Sequence, residues 1–172
     1  MTQFFRPDPK PEKKIKEPHK GLKRTPLKKK PFIKDGAEIT GTPDLIIILD
    51  GVMSEFVRLI NADRHGMVRC FTCPSKLHWT DIENGHFVPR KNLATRFHIW
   101  NQQPQCPYCN GGLIGNLDVY EIRLNEKYGT GTSDYLKRLG KTTCKRAAHE
   151  YEEMIQAYKV CVENLKENLI ER

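Results

Sequence analysis

Cys70-Phe71-Thr72-Cys73 and, after thirty-two intervening residues, Cys106-Pro107-Tyr108-Cys109-Asn110 decide how this chain folds. Two Cys-x-x-Cys pairs at this separation are the spacing of a four-thiolate zinc site. Four thiolates close the tetrahedron and leave no open position for substrate, so a zinc held by Cys70, Cys73, Cys106 and Cys109 is structural. Such a metal supplies on the order of 10 kcal/mol of folding free energy. It pins both ends of an insert that is poor in apolar residues and fixes everything carried between them.

Working outward from the pairs, Thr42-Pro43-Asp44 predicts a helix start: a capping hydroxyl, a proline at the first helical position and an acid in the first turn. Ile46, Leu49, Met53, Phe56 and Ile60 recur at three- and four-residue steps, so the helix is expected to run to about Arg64 with one apolar face. Val68 to Phe71 reads as a short strand, Leu77 to Arg90 as strand-like, residues 90–96 as a basic loop, and Phe97 to Trp100 as a second strand. Pro107 opens a helical stretch that passes a glycine-rich turn (Gly111, Gly112, Gly115) into Leu117–Tyr128. From Thr143 to about Ile170, the residues Ala148, Tyr151, Ile155, Tyr158, Val162, Leu165 and Leu169 form a seam of alternating three- and four-residue steps. That seam fits a coiled coil between two chains or a long helix packed on helix 42–64. Cys144 and Cys161 fall in this segment and read as small core residues, as do Trp79 and Trp100 in preference to base-stacking platforms.

The formal charge of +8 is uneven. Residues 1–34 hold twelve Lys or Arg against three Asp or Glu and carry six of the eleven prolines; residues 35–172 hold seventeen against eighteen. The first segment is too polar to bury a core, which predicts a disordered basic arm suited to phosphate contacts. The remainder divides into an N-terminal helix (35–66), a zinc-bound core (67–130) and C-terminal helices (131–172). No apolar run is long enough to span a bilayer and no export signal is visible. Six cysteines without an export signal then imply metal and free thiols in the cytoplasm rather than disulfides.

Within the zinc frame lie Gly85-His86 and Asn101, and Asn110 follows the last cysteine. Hydrolysis of a phosphodiester needs an activated water, a sink for the charge of the pentacoordinate phosphate and help for the leaving oxygen. A neutral His supplies the base near pH 7, its ordinary pKa being ~6.5. An Asn oxygen is a fitting ligand for a hard divalent cation, and a second Asn holds the loop and orients the His ring. Arg90, Lys91 and Arg96, in the loop beside His86, are the expected phosphate contacts. His78 and His98 sit in no motif, and His19, His65 and His149 read as surface residues. A zinc frame with a basic arm is equally what a non-catalytic DNA-binding zinc module has, and a terminal helix with an apolar seam suits a protein-interaction adaptor.

The run Cys70-Phe-Thr-Cys, Glu83-Asn-Gly-His-Phe-Val-Pro-Arg90, Thr95-Arg-Phe, Asn101, Gln105-Cys-Pro-Tyr-Cys-Asn110, Gly115-Asn116 and Tyr120 resembles the phage NinG (Rap) recombination nucleases of the wider HNH, or ββα-metal, group. Its zinc layout is similar to that of phage endonuclease VII. The resemblance covers about residues 55–130. It implies an α+β fold: a small zinc-stabilised ββα-metal, HNH-like core flanked by long helices. It also implies His86 as general base, Asn110 as ligand of a catalytic Mg²⁺ or Mn²⁺, and Asn101 as brace of the His loop. The implied activity is cutting of branched DNA, such as Holliday junctions and D-loops, in the host cytoplasm of a phage-encoded chain. A homodimer suits symmetrical cutting. Many ββα-metal nucleases place an Asp directly before the base His; here that position is Gly85, which leaves Asp81, Glu83, Asn116 and Asp118 as candidate second ligands.

Overall fold

The computed structural model describes residues 33–34, 37–38 and 41–170. All but the last two residues of the expected basic arm, and His19 with them, lie outside the described residues. Strands β1 (Ile33–Lys34) and β2 (Ala37–Glu38) pair antiparallel ahead of helix α1 (Thr42–Ile60). α1 starts at Thr42 as its sequence predicts, but not through the Thr42 hydroxyl. The capping residue is Gly41, whose carbonyl accepts the amides of Asp44 and Leu45 at 3.1 and 3.3 Å. α1 ends at Ile60, four residues short of the expected Arg64, because Asp63 draws the chain into a turn: its Oδ1 accepts the amides of His65 (2.9 Å) and Met67 (3.0 Å).

Two short strand pairs replace the longer strands read from the sequence. β3 (Met67–Arg69) pairs with β4 (Lys76–His78) in a hairpin that carries Cys70 and Cys73 at its tip. The strand expected from Leu77 to Arg90 breaks at residues 79–82, where the amides of Asp81 and Ile82 both turn back to the His78 carbonyl. It resumes as β5 (Glu83–His86). The chain then passes through a short helix, α2 (Leu93–Arg96), inside the expected loop, and a 3-10 turn at Ile99–Asn101. The second strand expected at Phe97–Trp100 is displaced to β6 (Gln102–Gln105), antiparallel to β5 with His86 opposite Gln102 and Glu83 opposite Gln105. β6 escapes a hydrophobicity-based reading because Gln-Gln-Pro-Gln has no apolar alternation, yet all four residues are buried.

A π-helical turn (Tyr108–Gly112) and a left-handed corner at Ile114, Gly115 and Asn116 lead into α3 (Leu117–Tyr128), followed by α4 (Thr132–Leu139) and α5 (Ala148–Ile170). α5 lies along α1 of the same chain. Tyr151 and Ile155 join Leu45, Leu49, Met53 and Phe97 in one cluster, and Val162 joins Phe56, Val57 and Leu59 with Tyr158, Leu165 and Leu169 in the next. The seam read from the sequence therefore packs within the chain and not between two copies. Lys166 and Glu55 close the pair with a 2.6 Å ion pair. Cys144 lies in the stretch before α5, half-buried, and Cys161 is exposed on α5, so neither is the core residue expected. The described residues belong to one compact unit of mixed helices and small antiparallel sheets, and none of their helices is long and apolar enough to cross a membrane.

Candidate functional site

The β3–β4 tip and the start of the π-helical turn bring Cys70, Cys73, Cys106 and Cys109 together, with their sulfur atoms all within 4.8 Å of one another. The backbone amide of Cys106 reaches the Cys70 sulfur at 3.3 Å, and that of Cys109 reaches the Cys106 sulfur at 3.4 Å. Amides aimed at sulfur suit thiolates better than thiols. Burial, reinforced by the neighbouring sulfurs, pushes the Cys109 thiol up to about 12 and raises Cys106 as well. Burial acts against Cys73 too, but hydrogen bonds from Ser75, Cys70 and Cys109 hold it down to about 6. The thiolate of Cys73 is thus favoured and those of Cys106 and Cys109 are suppressed, so full ionisation of the cluster needs a shared cation; zinc fits this all-sulfur set. The cysteines are also part of the core, packed with Val68 and Ile82 against Leu77 and Trp79. Trp79 is half-buried there, as expected, whereas Trp100 is exposed and stacks on Tyr128 at 5.6 Å between centroids.

The zinc frame sets the neighbouring cleft. Asn110 follows Cys109 within the π-helical turn, and its amide N–H donates to the Cys106 carbonyl at 2.9 Å. Gln105, beside Cys106, donates its side-chain amide to Thr72 Oγ1 (2.9 Å) and to the Gly115 carbonyl (2.8 Å), tying both sides of the turn. Opposite the turn, β5 presents His86. His86, Asn84, Arg90 and Asn110 line one open cleft of about 400 Å³.

His86 Nε2 lies 3.2 Å from the Arg96 carbonyl. A carbonyl only accepts, so in the neutral ring Nε2 carries the proton and Nδ1 the lone pair. Burial first, then the charge of Arg90, push the His86 pKa down to about 4; the carbonyls of Arg96 and Asn84 and the charge of Asp50 offset this only in part. The ring is neutral at pH 7. Asn110 donates Nδ2 to Glu83 Oε2 at 2.7 Å. A carboxylate only accepts, so this bond settles which end of the amide is nitrogen and leaves Oδ1 without a partner among the described residues.

Asn101 holds the loop that follows His86, but through the backbone and not through the His ring. It is fully buried, its amide does not touch the His86 ring, and it clamps the loop that follows. Oδ1 accepts the Val88 amide at 2.7 Å, and Nδ2 donates to the carbonyls of Val88 and Thr95, each at 3.0 Å. Thr95 precedes Arg96, whose carbonyl holds the His ring, so Asn101 is a positioning residue. The Tyr120 hydroxyl sits 3.2 Å from the Gly85 carbonyl and 3.3 Å from the Asn101 carbonyl, bracing the same strand ends.

Of the three cations expected at phosphate, Arg90 and Lys91 are exposed beside the cleft. Arg96 is not available in the same way. Its guanidinium is paired with the Asp50 carboxylate on α1 through Nε (3.0 Å) and Nη2, and Nη1 donates to the Arg90 carbonyl. No sequence signal links Asp50 to Arg96, forty-six positions away. Gly85 faces away from the cleft; a Cβ there would fall 2.0 Å from Gln105 Oε1. An acid at this position would point into the ribbon's packed side and not at a cation beside His86. Among the alternative ligands, Asn116 donates to the Thr72 carbonyl and approaches the Cys109 sulfur, and Asp81 accepts from Thr80 on the far turn. Glu83, bonded to Asn110, is the acid nearest the cleft in the hydrogen-bond network. Asp118 is exposed in the first turn of α3 and is not among the cleft's lining residues. His98 accepts the Trp100 amide and His78 bonds Thr80, both away from the cleft. His65 and His149 are exposed.

Neither curated proteins nor solved structures show a match to this chain. The family whose profile it does match is described as the bacteriophage lambda NinG protein, over residues 10–168. That span takes in the paired cysteines, the cleft, α1 and all but the last two residues of α5, and the chain belongs to the NinG family.

Proposed function

We propose that this chain is a divalent-cation-dependent DNA endonuclease of the ββα-metal, HNH-like type, acting on branched recombination intermediates such as Holliday junctions or D-loops. The observation that supports it most directly is a neutral imidazole and an unpartnered amide oxygen lining one cleft, both anchored to the same thiolate frame. β5, β6 and the turn that carries Asn110 supply the strand–strand–helix order this chemistry uses. His86 Nδ1 takes the proton of the water that attacks phosphorus, while the P–O bond to the leaving sugar oxygen breaks and that oxygen takes a proton from solvent. A base with a pKa of about 4 is weak, but an arriving phosphate neutralises Arg90 and adds negative charge, and both changes raise it. Arg90 holds the scissile phosphate and Lys91, on the adjoining groove, a neighbouring one. Asn110 Oδ1, with Glu83 beside it, would hold the Mg²⁺ or Mn²⁺, which when bound supplies the sink for transition-state charge.

The test is cleavage of four-way, flap and linear DNA by zinc-loaded protein with added Mg²⁺ or Mn²⁺. Wild type is expected to nick the branched substrates, and His86→Ala to lose cutting while retaining binding. Binding to junctions without cutting in any divalent ion would overturn the enzyme reading in favour of a non-catalytic zinc module. Symmetrical resolution needs two active sites, so sedimentation of the DNA-bound protein tests for a homodimer.

A further inference from the structure

Beside the His86 cleft runs a larger groove of about 970 Å³, walled by the loop after β5, the start of α3, the end of α4 and residues 140–144. The two depressions share Phe87, Pro89 and Leu117, so they are continuous. The groove floor is apolar: Phe87, Val88, Leu93 and Leu117. Its rim carries Lys91, Lys137 and Lys141. The acid on that rim, Glu121, is already neutralised by Lys137 at 2.7 and 2.8 Å and accepts from Ser133. Lys91 and Lys141 have no acidic partner among the described residues. The groove therefore offers uncompensated positive charge over an apolar floor, leading away from the candidate site.

We infer that this groove seats an unpaired DNA strand that leads away from the scissile phosphate, with phosphates on Lys91 and Lys141 and sugars and bases on the floor. The inference rests on the DNA reading above and adds the substrate feature that the site selects. A duplex hides its base faces in its own stack, so an apolar floor gains nothing from it. A single strand exposes those faces to the accessible part of the floor, Leu117 and Leu93, while the cationic rim tracks its backbone. Single strands occur where branched DNA is splayed.

The experiment is binding, not cutting. Zinc-loaded His86→Ala protein, without added divalent ion, is titrated with a fluorescent single-stranded oligonucleotide and with a blunt duplex across a salt series. Adding Lys91→Gln and Lys141→Gln together is expected to lower the slope of log affinity against log salt for the single strand by about 1.4, roughly twenty-fold in affinity at 0.1 M salt. The duplex should change far less. Leu117→Gln, at a floor residue 44% exposed, is expected to weaken single-strand binding several-fold with the slope unchanged. Cys144 lines the groove while Cys161 is exposed on α5, so the oligonucleotide should slow alkylation of Cys144 and leave Cys161 unaffected. An unchanged slope, equal losses for duplex and single strand, or an unprotected Cys144 would each overturn the inference. None of these readouts needs turnover, so the groove can stand with the nuclease reading fallen, or the reverse.

Discussion

Replacing Asn101 separates its role as a clamp from its volume. The side chain is fully buried and makes three bonds to the loop after His86, to the Val88 amide and to the carbonyls of Val88 and Thr95. Asn101→Ala leaves one buried donor and two buried acceptors without partners. Each orphan costs about 1–3 kcal/mol; with partial relaxation and water entry, a total loss of about 3–6 kcal/mol is expected. That is a large part of the stability of a domain this size. Asn101→Asp keeps the volume and the bond to the Val88 amide but turns an oxygen toward both carbonyls and buries a charge, so it should be at least as damaging. Asn101→Leu fills the space and restores no bond. The assay is urea unfolding of the zinc-loaded protein at pH 7, with the His86 ring followed by NMR, because the Arg96 carbonyl that holds Nε2 is one residue beyond Thr95. A variant series within 1 kcal/mol of wild type, or Asn101→Leu as stable as wild type with an unmoved His86 resonance, would refute the clamp.

Gly85→Ala places a methyl 2.0 Å from Gln105 Oε1 and forces the Gln105 amide off Thr72 and Gly115; a loss of about 2–4 kcal/mol in denaturant titration is expected, and a neutral effect would show that the ribbon has slack there. The His86 pKa is about 4 in the fold against an ordinary 6.5. Because the folded value is the lower one, its contribution is fully present above pH 6.5 and is lost as pH falls toward 4. Wild type should therefore shed about 3 kcal/mol over that window that His86→Asn does not, and a His86 NMR midpoint near 6.5 would contradict the burial argument. Arg96→Gln should lower stability through the Asp50 pair while leaving the salt slope of DNA binding unchanged; a slope reduced by about one unit would return Arg96 to the phosphate contacts. Zinc removal by chelator, or Cys73→Ser, should collapse the NMR dispersion of residues 67–116 while most of the helical circular dichroism of α1 and α5 persists; full dispersion without metal would dismiss a structural zinc.

The thiolate frame was legible because cysteine spacing is a local signal with few alternative meanings, and the cleft followed because Asn110 adjoins the frame. α1 and α5 were legible from their apolar periodicity, although periodicity alone left α5's partner open between its own chain and a second copy. Both strand misreadings have one cause: β5 and β6 are held by buried amide side chains and a tyrosine hydroxyl, not by alternating apolar residues, so a period-2 search misses Gln102–Gln105 and extends Leu77–Arg90 too far. The pairing of Arg96 with Asp50 was not legible because the two lie forty-six positions apart. The bonds of Asn101 to Val88 and Thr95 were not legible, since a sequence does not separate touching a ring from fixing the backbone that touches it.

The packing of α5 on α1 bears on how a four-way junction would be processed. The apolar stripe of α5 is covered by α1 of its own chain, so that stripe is not what would join two copies. On the proposed nuclease reading, a copy that reaches a crossover without a partner would make one incision at a time, and a singly nicked species would build up before the second break.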